Sequence, residues 1–163
     1  MKVFLPYINS MKTTCMNKTL LLAVSIGFSP IAFSQTTLKK AIETKNAPAP
    51  IGPYSQAVQA GNLLFVSGQI AKDPATGIMK NDSIKEEATQ VMNNLKAVLD
   101  AAGLGMDNVV KATIYLTDMN DFKKVNEVYG SFFKGTYPAR ETVQVSNLPA
   151  NAKIEISVIA AVQ

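Results

Sequence analysis

Histidine and tryptophan are absent from the 163 residues, cysteine occurs once, at Cys15, and arginine occurs once, at Arg140. Without histidine there can be no Ser-His-Asp triad, no Cys-His nucleophile pair and no His/Cys zinc site. The 12 acids stand singly apart from Glu86 and Glu87, which a helix start accounts for, so no metal site is expected. Gly103-Leu104-Gly105 lacks the third glycine and the preceding strand of a dinucleotide fingerprint, and there is no P-loop lysine motif. No cofactor is expected. Long apolar runs are also missing, with one short exception near the start.

That exception spans residues 20–33, follows Lys2, Lys12 and Lys18 with no acid among them, and ends in Ala32-Phe33-Ser34. A basic start, a short apolar stretch and small residues before a cut read as a secretory signal peptide over residues 1–34, with Gln35 first in the mature chain. The run is shorter than a membrane span needs, and Pro30 interrupts it. Export to the periplasm or beyond is the expectation, and no membrane contact after the leader is removed. The alternatives are a retained N-terminal anchor or a true start at Met11 or Met16, the latter leaving the protein cytoplasmic. Removing the leader takes 16 basic residues to 13 against 12 acids, so the formal charge of +4 is no nucleic-acid footprint. No nucleic-acid partner is expected.

Apolar residues at 47% and charged residues at 17% fit one globular domain over residues 35–163 and exclude a disordered chain. Ser83 with Glu86 marks a helix start, and Ile84, Ala88, Val91, Leu95, Val98 and Ala102 form one apolar stripe before Gly103. A second helix is expected after Asn120 or Asp121, with Phe122, Val125, Tyr129, Phe132 and Phe133 at helical spacing. Strand-type runs occupy residues 38–43, 56–60, 63–70, 109–117, 141–146 and 153–162, and Gly61-Asn62 reads as a hairpin turn. This order predicts an α+β fold, a single sheet of about six strands with both helices on one face. The other face would then need covering by further copies of the chain.

Several residues stand out as carriers of chemistry. Arg140 follows Pro138-Ala139 at the mouth of a strand, where it would serve as a carboxylate anchor or as one half of a structural ion pair. Glu155 alternates with Ile154 and Ile156 on a face that turns apolar at Ile159, so it is either part-buried and raised in pKa or a solvated edge acid. Gly68 either lets a ligand approach or marks a bulge. Tyr54 sits in a Gly-Pro turn as a core plug or a substrate wall, and Asn126 breaks the apolar face of the second helix, where it needs a partner.

Taken together, the segments Ala49-Pro50-Ile51-Gly52-Pro53-Tyr54-Ser55-Gln56-Ala57, Phe65-Val66-Ser67-Gly68-Gln69-Ile70, Asn93-Asn94-Leu95-Lys96, Pro138-Ala139-Arg140 and Lys153-Ile154-Glu155-Ile156 resemble the RidA/YjgF family of reactive-intermediate deaminases. The likeness covers about residues 36–163. It implies a chorismate-mutase-like fold, a homotrimer with sites in clefts between subunits, and a small-molecule imine or keto acid as ligand. It implies cofactor-free hydrolysis of enamines or imines such as 2-aminoacrylate or 2-iminopropanoate to 2-keto acids and ammonium. The resemblance places the carboxylate-gripping arginine on Arg140, the water-positioning acid on Glu155 and the aromatic wall on Tyr54. It places the remaining pocket residues on Ser67, Gly68 and Asn126. Thr142 stands where many relatives carry a cysteine, so a role of that thiol does not transfer, although the backbone carbonyl there could still contact substrate. An exported copy would be separated from cytosolic aminoacrylate. A non-catalytic, ligand-binding or chaperone-like trimer is therefore the competing expectation, and a ribonuclease role is disfavoured by the near-neutral mature chain.

Overall fold

In the computed structural model, which describes residues 39–162, the last strand of the chain is the one around which the sheet is built. The leader expected over residues 1–34 lies outside the described residues. Strand β6 (Ile154–Ala161) buries Ile154, Ile156, Val158 and Ala160 and turns Glu155, Ser157, Ile159 and Ala161 the other way, the two-residue alternation of a pleated strand. It lies between β3 (Leu63–Gln69) and β4 (Val109–Leu116), antiparallel to both. β1 (Lys40–Ile42) and β2 (Ala57–Ala60) extend one side, β5 (Ala139–Gln144) closes the other, and the order is β1-β2-β3-β6-β4-β5. Only β4 and β5 run parallel, joined across a helix as parallel neighbours must be.

Both helices lie on the face into which the buried residues of β6 point. Helix α1 (Ile84–Ala101) is capped by the Ser83 hydroxyl, which accepts the Glu86 N–H at 3.2 Å. Its expected stripe is buried from Ile84 through Val98. Gly103, at φ 74°, then turns the chain in the left-handed conformation that glycine adopts without strain. Helix α2 (Phe122–Ser131) packs beside α1 and buries Val125 and Tyr129. It stops earlier than its periodicity suggests, with Phe132 as its C-cap and Phe133 stacked on Tyr129 at 4.8 Å between ring centres.

The α+β architecture with six strands and two helices is as the sequence predicts. Two boundaries differ. β1 covers only Lys40–Ile42 of the expected run, and β5 starts at Ala139 rather than at residue 141, so Arg140 lies within the strand and not before it. An edge strand, paired on one side only, offers little hydrophobic alternation by which its start could be read. The sheet face away from the helices carries Phe65 at 43% and Val143 at 44% exposure, so no third layer among the described residues covers them.

Two buried polar side chains tie helix α1 to the sheet. Glu87, fully buried, accepts the Lys153 and Ile154 N–H groups at 2.6 and 3.4 Å and so fixes the start of β6 against α1. Asn94 donates to the carbonyls of Ile70 and Lys72 at 3.0 and 2.9 Å, holding the chain that leaves β3. Burial raises the Glu87 pKa above its ordinary value, and its two backbone hydrogen bonds oppose that rise. Replacing Glu87 by Ala would strand the Lys153 N–H, so Glu87→Ala should lower unfolding stability by about 1–3 kcal/mol, read from urea denaturation.

Candidate functional site

Glu155 lines a cavity of about 330 Å³ on the helix-free face, with Ile51, Tyr54, Ser67, Gly68, Ile70 and Pro149 as the other walls. The carboxylate lies directly over Gly68. A Cβ there would collide with Glu155 Oε1 and stand 2.7 Å from Cδ, so this glycine is required by a close approach. The pairing of β3 with β6 also slips between Val66 and Gln69, so Gly68 lies in an irregularity as well. No basic side chain or hydrogen-bond donor among the described residues pairs with Glu155. Burial alone pushes its pKa up, which places the acid nearer the range of a useful base.

The loop over this cavity is held by a side chain that sequence reasoning did not single out. Gln56, only 2% exposed, accepts the Thr44 N–H at 2.6 Å and donates to the carbonyls of Thr44, Ala47 and Pro48 at 3.0, 3.1 and 2.8 Å. Pinned there, the turn presents Tyr54 at 48% exposure as a wall and not as a core plug, its hydroxyl accepting the Ile51 N–H at 3.2 Å. The Ser67 hydroxyl donates to the Ser55 carbonyl at 2.7 Å, a second tie between β3 and this loop.

Arg140 belongs to a different cavity, of about 370 Å³, lined also by Asn126, Tyr129, Gly130, Tyr137 and Pro138. The ion-pair reading fails: each of the five ion pairs among the described residues uses a lysine, and none uses Arg140. Its guanidinium carbon instead sits 4.9 Å from the centre of the Tyr129 ring and 5.7 Å from that of Phe122. Asn126 Oδ1 and the Tyr129 hydroxyl are buried without partners, and burial raises the Tyr129 pKa to about 12. Thr142 Oγ1 is likewise buried and unpartnered, two residues along the same face of β5, but Thr142 lines neither cavity.

The seven residues that the sequence analysis singled out therefore fall into two groups in one chain. Tyr54, Ser67, Gly68 and Glu155 share one hollow; Arg140 and Asn126 share another, with Thr142 beside them. The sheet lies between the groups. Arg140 pairs in register with Ala112, and Ala112 with Val158, both buried under the helices, whereas Glu155 occupies the alternate position on β6. A single copy cannot bring the guanidinium and the carboxylate to one ligand. Ile51, Ile70 and Pro149 joined the first hollow, and Tyr137 the second, without any local signal, because loops and strand ends meet there only after folding.

Comparison with known proteins adds four findings. The family model described as Endoribonuclease L-PSP matches residues 44–162. A RutC family protein of Pyrococcus horikoshii is 54% identical over 123 residues, covering 76% of this chain and 98% of that protein. The 2-iminobutanoate/2-iminopropanoate deaminase of Mus musculus is 48% identical over 123 residues, covering 76% and 91%. Among solved structures, Escherichia coli TdcF with bound serine is similar at a TM-score of 0.73 and 45% identity, covering 76% of this chain and 99% of that one.

The steric demand at Gly68 is open to test. Gly68→Ala should drive the Glu155 carboxylate off the strand and into water, so its titration midpoint, followed by carboxyl carbon NMR, should fall back toward 4.5. An unchanged midpoint would mean that the close approach does not set the burial.

Proposed function

The chain belongs to the Endoribonuclease L-PSP family, the RidA/YjgF group of reactive-intermediate deaminases, and from that premise we propose that it hydrolyses enamines and imines of 2-keto acids without a cofactor. The observation that carries this reading is the pair of half-sites, one holding an arginine whose charge no acid neutralises, the other a half-buried carboxylate with no partner. They become one site where two copies meet, Arg140 from one and Glu155 from the next, in a homotrimer. The uncovered sheet face with Phe65 and Val143 supports such assembly. A family relative crystallised with bound serine, a small molecule bearing a carboxylate, supports a carboxylate-bearing ligand.

In the proposed reaction the in-plane N–H groups of Arg140 hold the substrate carboxylate in a two-pronged grip, which fixes the adjacent imine carbon. Glu155 takes a proton from water as the water oxygen bonds to that carbon and the C=N bond becomes single. Starting from the protonated imine, that proton then passes to the nitrogen. As the C–N bond breaks, the hydroxyl oxygen forms C=O and gives its proton by way of Glu155 to the departing ammonia, so that a 2-keto acid and ammonium result. An enamine enters the same path after protonation at its third carbon. One base and positioning suffice because the imine carbon is already electrophilic; general-base help of this kind is worth about 10²–10⁴-fold. Tyr54, Ser67 and Gly68 shape the wall beside Glu155, and Asn126 and the backbone at Thr142 shape that beside Arg140. We further propose that residues 1–34 direct export, so that the mature enzyme works outside the cytoplasm on an imine formed there.

Three measurements check this. With 2-aminoacrylate generated in situ and ammonium followed, Arg140→Lys and Glu155→Gln should each lose about 100-fold or more in kcat/KM with the fold intact. Mixing the two inactive variants before assembly should restore about a quarter of wild-type activity, because one boundary in four then receives both native residues; no recovery would place the whole site in one copy. Because Glu155 must be unprotonated to act and burial raises its pKa, kcat/KM should fall as pH drops through a midpoint above 4.5. Keto acid binding without any turnover would favour the ligand-binding or chaperone-like trimer instead.

A further inference from the structure

The Arg140 cavity holds a feature that its role as an anchor does not by itself require. Arginines held near a helix face are ordinarily placed by an acid, which takes two of the five N–H donors and cancels the charge. Here no acid does so among the described residues, and the guanidinium lies against two aromatic rings of α2, Phe122 and Tyr129, about two turns apart along the helix. A ring takes up the flat face of the guanidinium and leaves its edge donors unspent. Tyr129 is 4% exposed and is braced from behind by Phe133, whose ring in turn meets Tyr137 edge-on at 6.1 Å between centres. The seat is therefore rigid, and it is built of groups that cannot compete with a ligand for the charge.

We propose that Phe122 and Tyr129 are positioning residues, an aromatic seat that aims the Arg140 guanidinium at a ligand carboxylate while keeping its charge and its in-plane donors free. The Tyr129 hydroxyl is buried without a partner, so the ring and not the hydroxyl does the seating, and phenylalanine should replace it. The inference rests on Arg140 being the carboxylate anchor of the proposed reaction. It goes beyond that reading by assigning the affinity of the anchor to two rings that hold the face of the guanidinium and make no hydrogen bond to it.

The test uses the full chain and 2-oxobutanoate as a probe of carboxylate binding, with Kd from NMR titration. Tyr129→Leu and Phe122→Leu should each weaken binding about tenfold, while Tyr129→Phe should rescue it to within about twofold of wild type. In an Arg140→Lys background the leucine substitutions should add no further loss, a coupling that a purely structural role would not produce. Circular dichroism establishes folding, and Phe122→Leu, at the half-buried rim, carries the test if Tyr129→Leu does not fold. Wild-type affinity in the folded leucine variants, equal losses in Tyr129→Phe and Tyr129→Leu, or failure of the wild type to bind the probe would each overturn the proposal. Turnover is measured separately: probe binding that follows this pattern without imine hydrolysis would sink the functional reading and leave the aromatic seat standing.

Discussion

The alternation of β6 is the constraint on which the rest of the structure depends. Its even-numbered residues, Ile154 to Ala160, fill the space under α1 and α2, so its odd-numbered residues, beginning with Glu155, must face the other way. Register carries the same parity outward through β4 to β5, where Arg140 and Thr142 fall on the helix side. A slip of one residue would exchange every member of the two sets and bury Glu155 among isoleucines. The positions of the acid and the guanidinium are thus set by the hydrophobic core and not by any attraction between them.

Polar satisfaction distinguishes scaffold from candidate site. Where the fold needs a buried polar group it supplies partners: Gln56 holds the Tyr54 loop, Asn94 ties α1 to the end of β3, and one oxygen of Glu87 accepts two backbone N–H groups. Among the described residues, unpartnered buried atoms gather elsewhere, at Asn126, Tyr129 and Thr142 around the arginine, with the second oxygen of Glu87 the exception away from it. Buried polar groups are ordinarily paired, so this concentration beside the guanidinium marks a candidate ligand pocket. Glu155 shows the same incompleteness in another form, raised in pKa by burial with no partner among the described residues to offset it.

Much of this was readable before folding. The Ser83 cap, the stripe of α1 and the alternation of β6 are local patterns, and each element formed where its pattern lay. The start of β5 was not legible, because a strand paired on one side and largely exposed carries no strong alternation. The candidate residues were legible as types in the order of a family, yet their division between two cavities was not. Gly68 illustrates the difference: the sequence allowed a bulge or a close approach, and the fold contains both, with Glu155 as the group that approaches. Arg140 illustrates it again, since neither an acid partner nor an aromatic seat could be inferred from the residues beside it in the chain.

The amino-acid order by itself determined the element types, the exclusion of histidine and thiol chemistry from residues 39–162, and the family, because these depend on composition and on spacing along a few turns or one strand. Only the tertiary structure decided that the arginine and the glutamate lie on opposite faces of one sheet, and that aromatic rings hold the former while a glycine admits the latter. Strand order and register join residues far apart in sequence, and no local period encodes which of them will meet.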